Sequence, residues 1–219
     1  MPEPRPDLVI FDCDGVLVDS EPITNRLLVA NLARHGLTLT EAQVETMFVG
    51  GTMAGVGERA RAAGAALPDD WLTSMYEEMY AELRKGVPPI AGVVDFLDAL
   101  DAAGVPYAVG SNGSEEKMRI TLGQTGLMER FRGRIYSAHT LRKAKPDPAL
   151  YLQAARDLGI AAGRCAVIDD SPAGCTAGVR AGMKTLGFAE TTDPARLVAV
   201  GATPVASMAE AARMLGFAI

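Results

Sequence analysis

The chain has 219 residues, 48% of them hydrophobic, and a formal net charge of −6. That size suits one α/β domain, or one domain carrying an insertion. The acidic balance argues against a broad nucleic-acid or anionic-membrane surface but leaves room for a small, locally positive anion site. Three cysteines, Cys13, Cys165 and Cys175, cannot build a disulfide framework. With an N-terminus (Met1 to Pro6) that reads as neither signal nor transit peptide, they point to a reducing cytoplasm. No apolar stretch reaches the roughly 18 residues a membrane helix needs.

Leu8-Val9-Ile10-Phe11 reads as a buried strand. Asp12-Cys13-Asp14 follows it directly, and Gly15 allows an immediate turn. Because side chains alternate along extended backbone, Asp12 and Asp14 are expected on one side, with Cys13 turned into the core. A helix is expected to open at Ser20-Glu21-Pro22, with Ser20 as cap, and to end at His35-Gly36. Thr40-Glu41-Ala42-Gln43 is a capping-box pattern for a second helix. Residues 58–66 and 70–85 read as two more, so 20–86 is a helical block without a strand.

Gly86-Val87-Pro88-Pro89 breaks the block, and strands then alternate with helices. Helices are expected at 93–103, 115–125, from Asp147-Pro148 to Gly159, at 173–181 and from Met208. Strands are expected at 107–110, 134–137, 165–168, 184–188 and 203–206. Such alternation implies a mostly parallel sheet covered on both faces.

In parallel α/β sheets, sites form at the carboxyl ends of strands. Three of these ends are polar: Asp12-Cys13-Asp14, Ser111-Asn112-Gly113 and Asp169-Asp170-Ser171. Between the last two, Lys145 sits in the stiff segment Lys145-Pro146-Asp147-Pro148. Each motif alone suits a turn, a helix cap or a solvated lysine. Together at matching strand ends they form one constellation. Close carboxylates resist joint ionisation unless a cation or a division of roles separates them. Oxygen-only ligands suit Mg²⁺. A carboxylate nucleophile, a lysine, a hydroxyl and backbone N–H groups at a helix start suit phosphoryl transfer.

These four motifs, in this order, resemble the haloacid-dehalogenase-like phosphohydrolase superfamily. The similarity is to the branch with a helical cap after the first motif, which includes phosphoglycolate phosphatases and β-phosphoglucomutase. The resemblance covers nearly the whole chain. It implies an α/β, Rossmann-like parallel-sheet core formed by 1–18 and 87–219, with an inserted α-helical cap at 19–86. It implies Asp12 as nucleophile and Asp14 as general acid, then base. Ser111 and Asn112 would hold phosphate oxygens, and Lys145 would bridge nucleophile and phosphate. Mg²⁺ would be held by Asp12, the main-chain carbonyl of Asp14, Asp170, and Asp169 directly or through water. Many relatives have Glu at the position of Asp169.

Within the branch, the similar mutases carry a histidine at the place of Thr24 and a cap arginine at that of Met53. Both departures favour a phosphatase acting on a small phosphorylated metabolite. The motif wording is closest to bacterial sugar-phosphate phosphatases such as 6-phosphogluconate phosphatases. Gly51 and Thr52 are expected on a cap loop facing the substrate. The alternatives are a phosphomutase and a non-enzymatic phosphate-binding or phospho-acceptor protein. Receiver domains share the residue types but place the acidic pair first and have no helical insertion. The expected state is a monomer or weak homodimer.

Overall fold

The computed structural model describes residues 4–48 and 52–219, with Phe48 described through its backbone. Six strands form one parallel sheet: β1 (Leu8–Phe11), β2 (Tyr107–Ser111), β3 (Ile135–Ser137), β4 (Cys165–Asp169), β5 (Lys184–Phe188) and β6 (Thr203–Val205). Their order is β3-β2-β1-β4-β5-β6. The chain builds outward from β1 in one direction, then returns to β1 and builds in the other. The order therefore reverses between β1 and β4, where doubly wound sheets open a crevice at their carboxyl ends.

The helices are α1 (Glu21–Arg34), α2 (Glu41–Phe48), α3 (Met53–Ala62), α4 (Trp71–Leu83), α5 (Val93–Ala102), α6 (Glu115–Gln124), α7 (Ala138–Leu141), α8 (Ala149–Asp157), α9 (Pro172–Arg180), α10 (Pro194–Val198) and α11 (Met208–Met214). The sheet's two faces follow from strand alternation. Val9, Phe11, Ala166 and Ile168 face a core shared with α5, α6 and α11, including Phe96, Met118 and Met208. Leu8, Ile10, Cys165 and Val167 face α8 and α9, including Leu150, Tyr151 and Ala177. β1 is buried along its whole length, which explains its unbroken apolar run.

The block α1–α4 is inserted between β1 and α5 and has a core of its own: Leu28, Leu32, Val44, Val56, Ala60 and Met75 around Trp71. The indole of Trp71 donates to Asn31 Oδ1 at 2.7 Å, so its one polar atom is satisfied inside that core. The capping box forms as expected, with Thr40 N donating to Gln43 Oε1 at 2.9 Å and Gln43 N to Thr40 Oγ1 at 3.3 Å. The connections into and out of the block run side by side. Asp19 N donates to Pro88 O at 3.0 Å and Ile90 N to Leu17 O at 3.1 Å.

Several boundaries differ from expectation. Helix α3 starts at Met53, five residues before 58, because Thr52 caps it by accepting from Gly55 N at 3.2 Å. Strands β2 and β4 each run one residue further, taking in Ser111 and Asp169. The short helices α7 and α10 have no counterpart in the sequence reading. Among the described residues, no helix is long and apolar enough to cross a membrane.

Candidate active site

The pairing register sets the site. Phe11 lies opposite Ile168, and Asp12 N donates to Ile168 O at 2.9 Å, so the next residues, Asp12 and Asp169, lie side by side at the strand ends. Asp12 keeps the parity of Leu8 and Ile10, and Asp169 that of Cys165 and Val167. Both carboxylates therefore point toward the α8 side, where Lys145 meets them. Lys145 Nζ is 2.8 Å from Asp12 Oδ1 and 2.8 Å from Asp169 Oδ2, with its side chain almost wholly buried. Its ammonium lies 5.3 Å from the Tyr151 ring centroid. Burial opposes the ammonium, but the two carboxylates outweigh it and hold Lys145 protonated.

Asp169 is fully buried and saturated. Oδ2 accepts from Lys145 Nζ at 2.8 Å and from Tyr151 OH at 2.6 Å. Oδ1 accepts from Ser171 N at 2.9 Å and Ser171 Oγ at 2.7 Å. Ser171 in turn caps α9 by accepting from Gly174 N at 3.0 Å. Asp12 contrasts with it. Among the described residues, Asp12 Oδ1 is the one fully buried side-chain oxygen that accepts no well-directed hydrogen bond; its partner is the Lys145 ammonium, 2.8 Å away as an ion pair. Burial is the main cause that lifts the Asp12 carboxyl to about 7; Lys145 pulls it down, and Asp169 and Asp14 push it up. Burial, then Asp169 and Asp12, push the Asp170 carboxyl well above the usual range.

Asp14 is held separately. Lys117 Nζ sits 2.8 Å from its Oδ1, and Ser20 Oγ donates to the same oxygen at 2.5 Å. Burial would raise this carboxyl, but the Lys117 charge and the two donors bring it below the ordinary value. Ser20 does not cap α1: its backbone lies in the helical region, so the hydroxyl is turned to Asp14 instead. Cys13 is turned into the core, as expected, with its Sγ 3.8 Å from Thr121 Oγ1.

Ser111 is buried and accepts from Gly113 N at 2.9 Å, forming the turn beside Asp14. The Asn112 amide is spent on the lysine loop, accepting from Lys145 N at 2.8 Å and reaching Lys145 O at 3.5 Å. Thr52 and Met53 line the same cavity as the core groups, as do Thr24 and Glu21 from α1. Gly51 lies outside the described residues.

The structure thus brings Asp12, Asp14, Ser111, Asn112, Lys145 and Asp170 around one cavity, with Asp169 directly beneath. One oxygen each of Asp12, Asp169 and Asp170 lie within 4.8 Å of one another. Asp12 and Asp170 fit a hard divalent cation, with Asp169, whose oxygens are already filled, beside them. Asp12 offers an orphaned oxygen, and Asp170 makes no ion pair among the described residues. With all four aspartates ionised, the two ammonium groups leave two negative charges, which a cation would neutralise.

The sequence reading gives Lys117, Ser20 and Tyr151 no part in the site and takes Ser20 as a helix cap. For Lys117 a signal exists. It is in the first turn of α6, where a cation opposes the helix dipole and so needs a partner elsewhere.

A family model described as haloacid dehalogenase-like hydrolase matches residues 6–182. The chain is 32% identical to the 6-phosphogluconate phosphatase of Escherichia coli K12 over 186 residues, 84% of this chain and 83% of that one. It is also 32% identical to hexitol phosphatase A of the same organism over 191 residues, 86% and 85% of the two chains. Among solved structures, a HAD family hydrolase from Deinococcus radiodurans R1 with bound phosphate and sodium superposes with a TM-score of 0.81. It is 34% identical and covers 97% of each chain.

Proposed function

Because the chain belongs to the haloacid dehalogenase-like hydrolase family, we propose that it is a phosphatase. Its substrate would be a small phosphorylated metabolite, a sugar or sugar-acid phosphate, and its intermediate an aspartyl-phosphate. The observation that carries this is Asp12: its buried Oδ1 lies 2.8 Å from a fixed ammonium, and the residue lines the cavity that Asp14 and Ser111 share. The phosphate bound in the 34% identical relative supports the same reading.

Asp12 Oδ attacks phosphorus, the bond to the ester oxygen breaks, and the departing oxygen takes a proton from Asp14. Water then attacks the aspartyl-phosphate, Asp14 accepts its proton, and inorganic phosphate leaves Asp12. The Lys117 pair favours ionised Asp14, the form needed in the second half. In the first half the incoming phosphate dianion raises the proton affinity of that carboxyl. Lys145 and Ser111 hold the transferring oxygens. Asn112 keeps Lys145 in place, and Asp169 orients it from below. A Mg²⁺ held by Asp12, the Asp14 carbonyl and Asp170, with Asp169 beside them, would neutralise charge on the phosphoryl group.

We assign residues 19–86 as the cap, with hinges at 16–20 and 86–89. Closure would exclude bulk water from the covalent intermediate. Thr24 and Met53 on the cavity wall supply neither imidazole nor guanidinium, which favours hydrolysis over a mutase cycle. Three free, buried cysteines suit a cytoplasmic enzyme.

The test is phosphate release from a panel of phosphorylated metabolites, with Mg²⁺ and with chelator, for wild type and Asp12→Asn. Release is expected with Mg²⁺ only and from wild type only. Substantial turnover by Asp12→Asn would refute the covalent scheme.

A further inference from the structure

Resting on the phosphatase reading, we infer that the cavity selects an uncharged, hydroxyl-rich leaving group, a polyol or sugar unit, over one carrying a carboxylate or second phosphate. The cavity of about 170 Å³ is divided by charge. Its two lysines, Lys117 and Lys145, lie on the core floor, each 2.8 Å from a carboxylate. The wall contributed by the inserted helices holds no lysine or arginine among the described residues.

What the wall does present suits hydroxyl groups. Thr24, Asn25 and Thr52 offer neutral donors and acceptors, and the Glu21 carboxylate offers acceptors. Leu28, Val56 and Met79 offer surface to C–H groups. Thr24 Oγ1 already donates to Ser20 O at 3.1 Å, which leaves its lone pairs toward incoming hydroxyls. A second anion on the leaving group would be desolvated opposite Glu21, and the lining cation whose charge reaches Glu21, Lys117, is already paired with Asp14; like charges set together discriminate strongly. His139, exposed on the core side and edge-on to Tyr76, is the remaining basic group on the lining. The comparison is therefore made in a His139→Gln background as well, which removes it as a counter-charge.

The probes are glucitol 6-phosphate and 6-phosphogluconate, which share chain length and phosphate and differ by CH₂OH against carboxylate. p-Nitrophenyl phosphate reports whether the hydrolytic chemistry is present. Wild type is expected to favour the alditol by at least about tenfold in kcat/KM. Thr52→Lys places an ammonium at an exposed wall position and should narrow that ratio, chiefly by lowering KM for the aldonate. Glu21→Gln, which removes the wall's negative charge without changing its shape, should narrow it too. Equal or greater activity on the aldonate by wild type overturns the inference. A ratio unmoved in both variants overturns its charge basis. No release from any ester would instead sink the phosphatase reading. Calorimetry of the two probes with Asp12→Asn and Mg²⁺ then decides selectivity directly: tighter alditol binding sustains the inference, and equal, reversed or absent binding overturns it.

Discussion

Gly174→Ala should damage the site without touching any reacting group. Gly174 is in the first turn of α9, directly over the buried carboxylate of Asp169. A Cβ there would lie 1.7 Å from Asp169 Oδ2, 2.0 Å from Cγ and 2.2 Å from Oδ1. Reaching even a 3.0 Å contact requires a displacement of roughly 1.3 Å. A shift of that size breaks hydrogen bonds that are 2.6 to 2.9 Å long. Asp169 is 0% exposed, so water cannot replace the lost partners. Breaking a buried ion pair costs about 3–5 kcal/mol. For a chain of this length each kcal/mol moves Tm by about 2–4 °C, so a fall of about 10 °C is expected. Lys145 loses the group that aims it, and losing a positioned charge costs about 10²–10³-fold in kcat. Thermal melts and steady-state phosphate release measure both. The control is Gly123→Ala in α6, where a Cβ meets nothing within 4 Å; it should stabilise by about 0.5–1 kcal/mol. Wild-type Tm and kcat in Gly174→Ala would show that Asp169 is not pinned beneath that helix, and the assigned role of Lys145 would fall with it.

Mg²⁺ should raise Tm in a concentration-dependent manner, by about 2.7 kcal/mol of added stability at a hundred times its Kd. Asp170→Asn should blunt that rise; an undiminished rise would place the ion elsewhere. Lys117→Met should lower kcat by more than about tenfold through loss of the hold on Asp14, and Lys117→Arg should restore part of it; wild-type kcat in Lys117→Met would make that ion pair structural only. Ellman's reagent should find Cys13, Cys165 and Cys175 unreactive in the native protein and titrate all of them in guanidinium, since all are buried. Burial first, then Asp7, pushes the Cys165 thiol up to about 11. Rapid native labelling of any of the three would contradict the packing.

The parts legible in the sequence are those where one local pattern has one structural outcome. Four consecutive apolar residues gave β1, and Thr40 to Gln43 gave a reciprocal cap. The three polar strand ends converge because parallel strands bring their carboxyl ends to one edge. Where the reading stopped short, tertiary contacts decide. Ser111 and Asp169 look like loop residues by polarity, yet ladder pairing to Ser137 and Gly187 keeps them in strands. Helices α7 and α10, four and five residues long, are too short for any periodicity to show. Ser20 has the residue type of a cap, but its hydroxyl finds a carboxylate instead.

The side chains that sequence reasoning missed share one property: each is the partner of a carboxylate rather than a bearer of chemistry. Lys117 and Tyr151 sit in helices, where their spacing looks like ordinary helix surface and ordinary helix core. Only the fold shows that they point at Asp14 and Asp169. A count of charges in the motifs would treat the four aspartates alike, and the structure does not. Asp14 has an ion pair and a hydroxyl, Asp169 four donors, Asp12 one ion pair, and Asp170 no ion pair among the described residues. The two least satisfied carboxylates lie side by side at the strand switch. Desolvation there is compensated only when something positive arrives between them. That asymmetry, rather than acidity as such, makes this end of the sheet a place to bind a cation and a phosphate together.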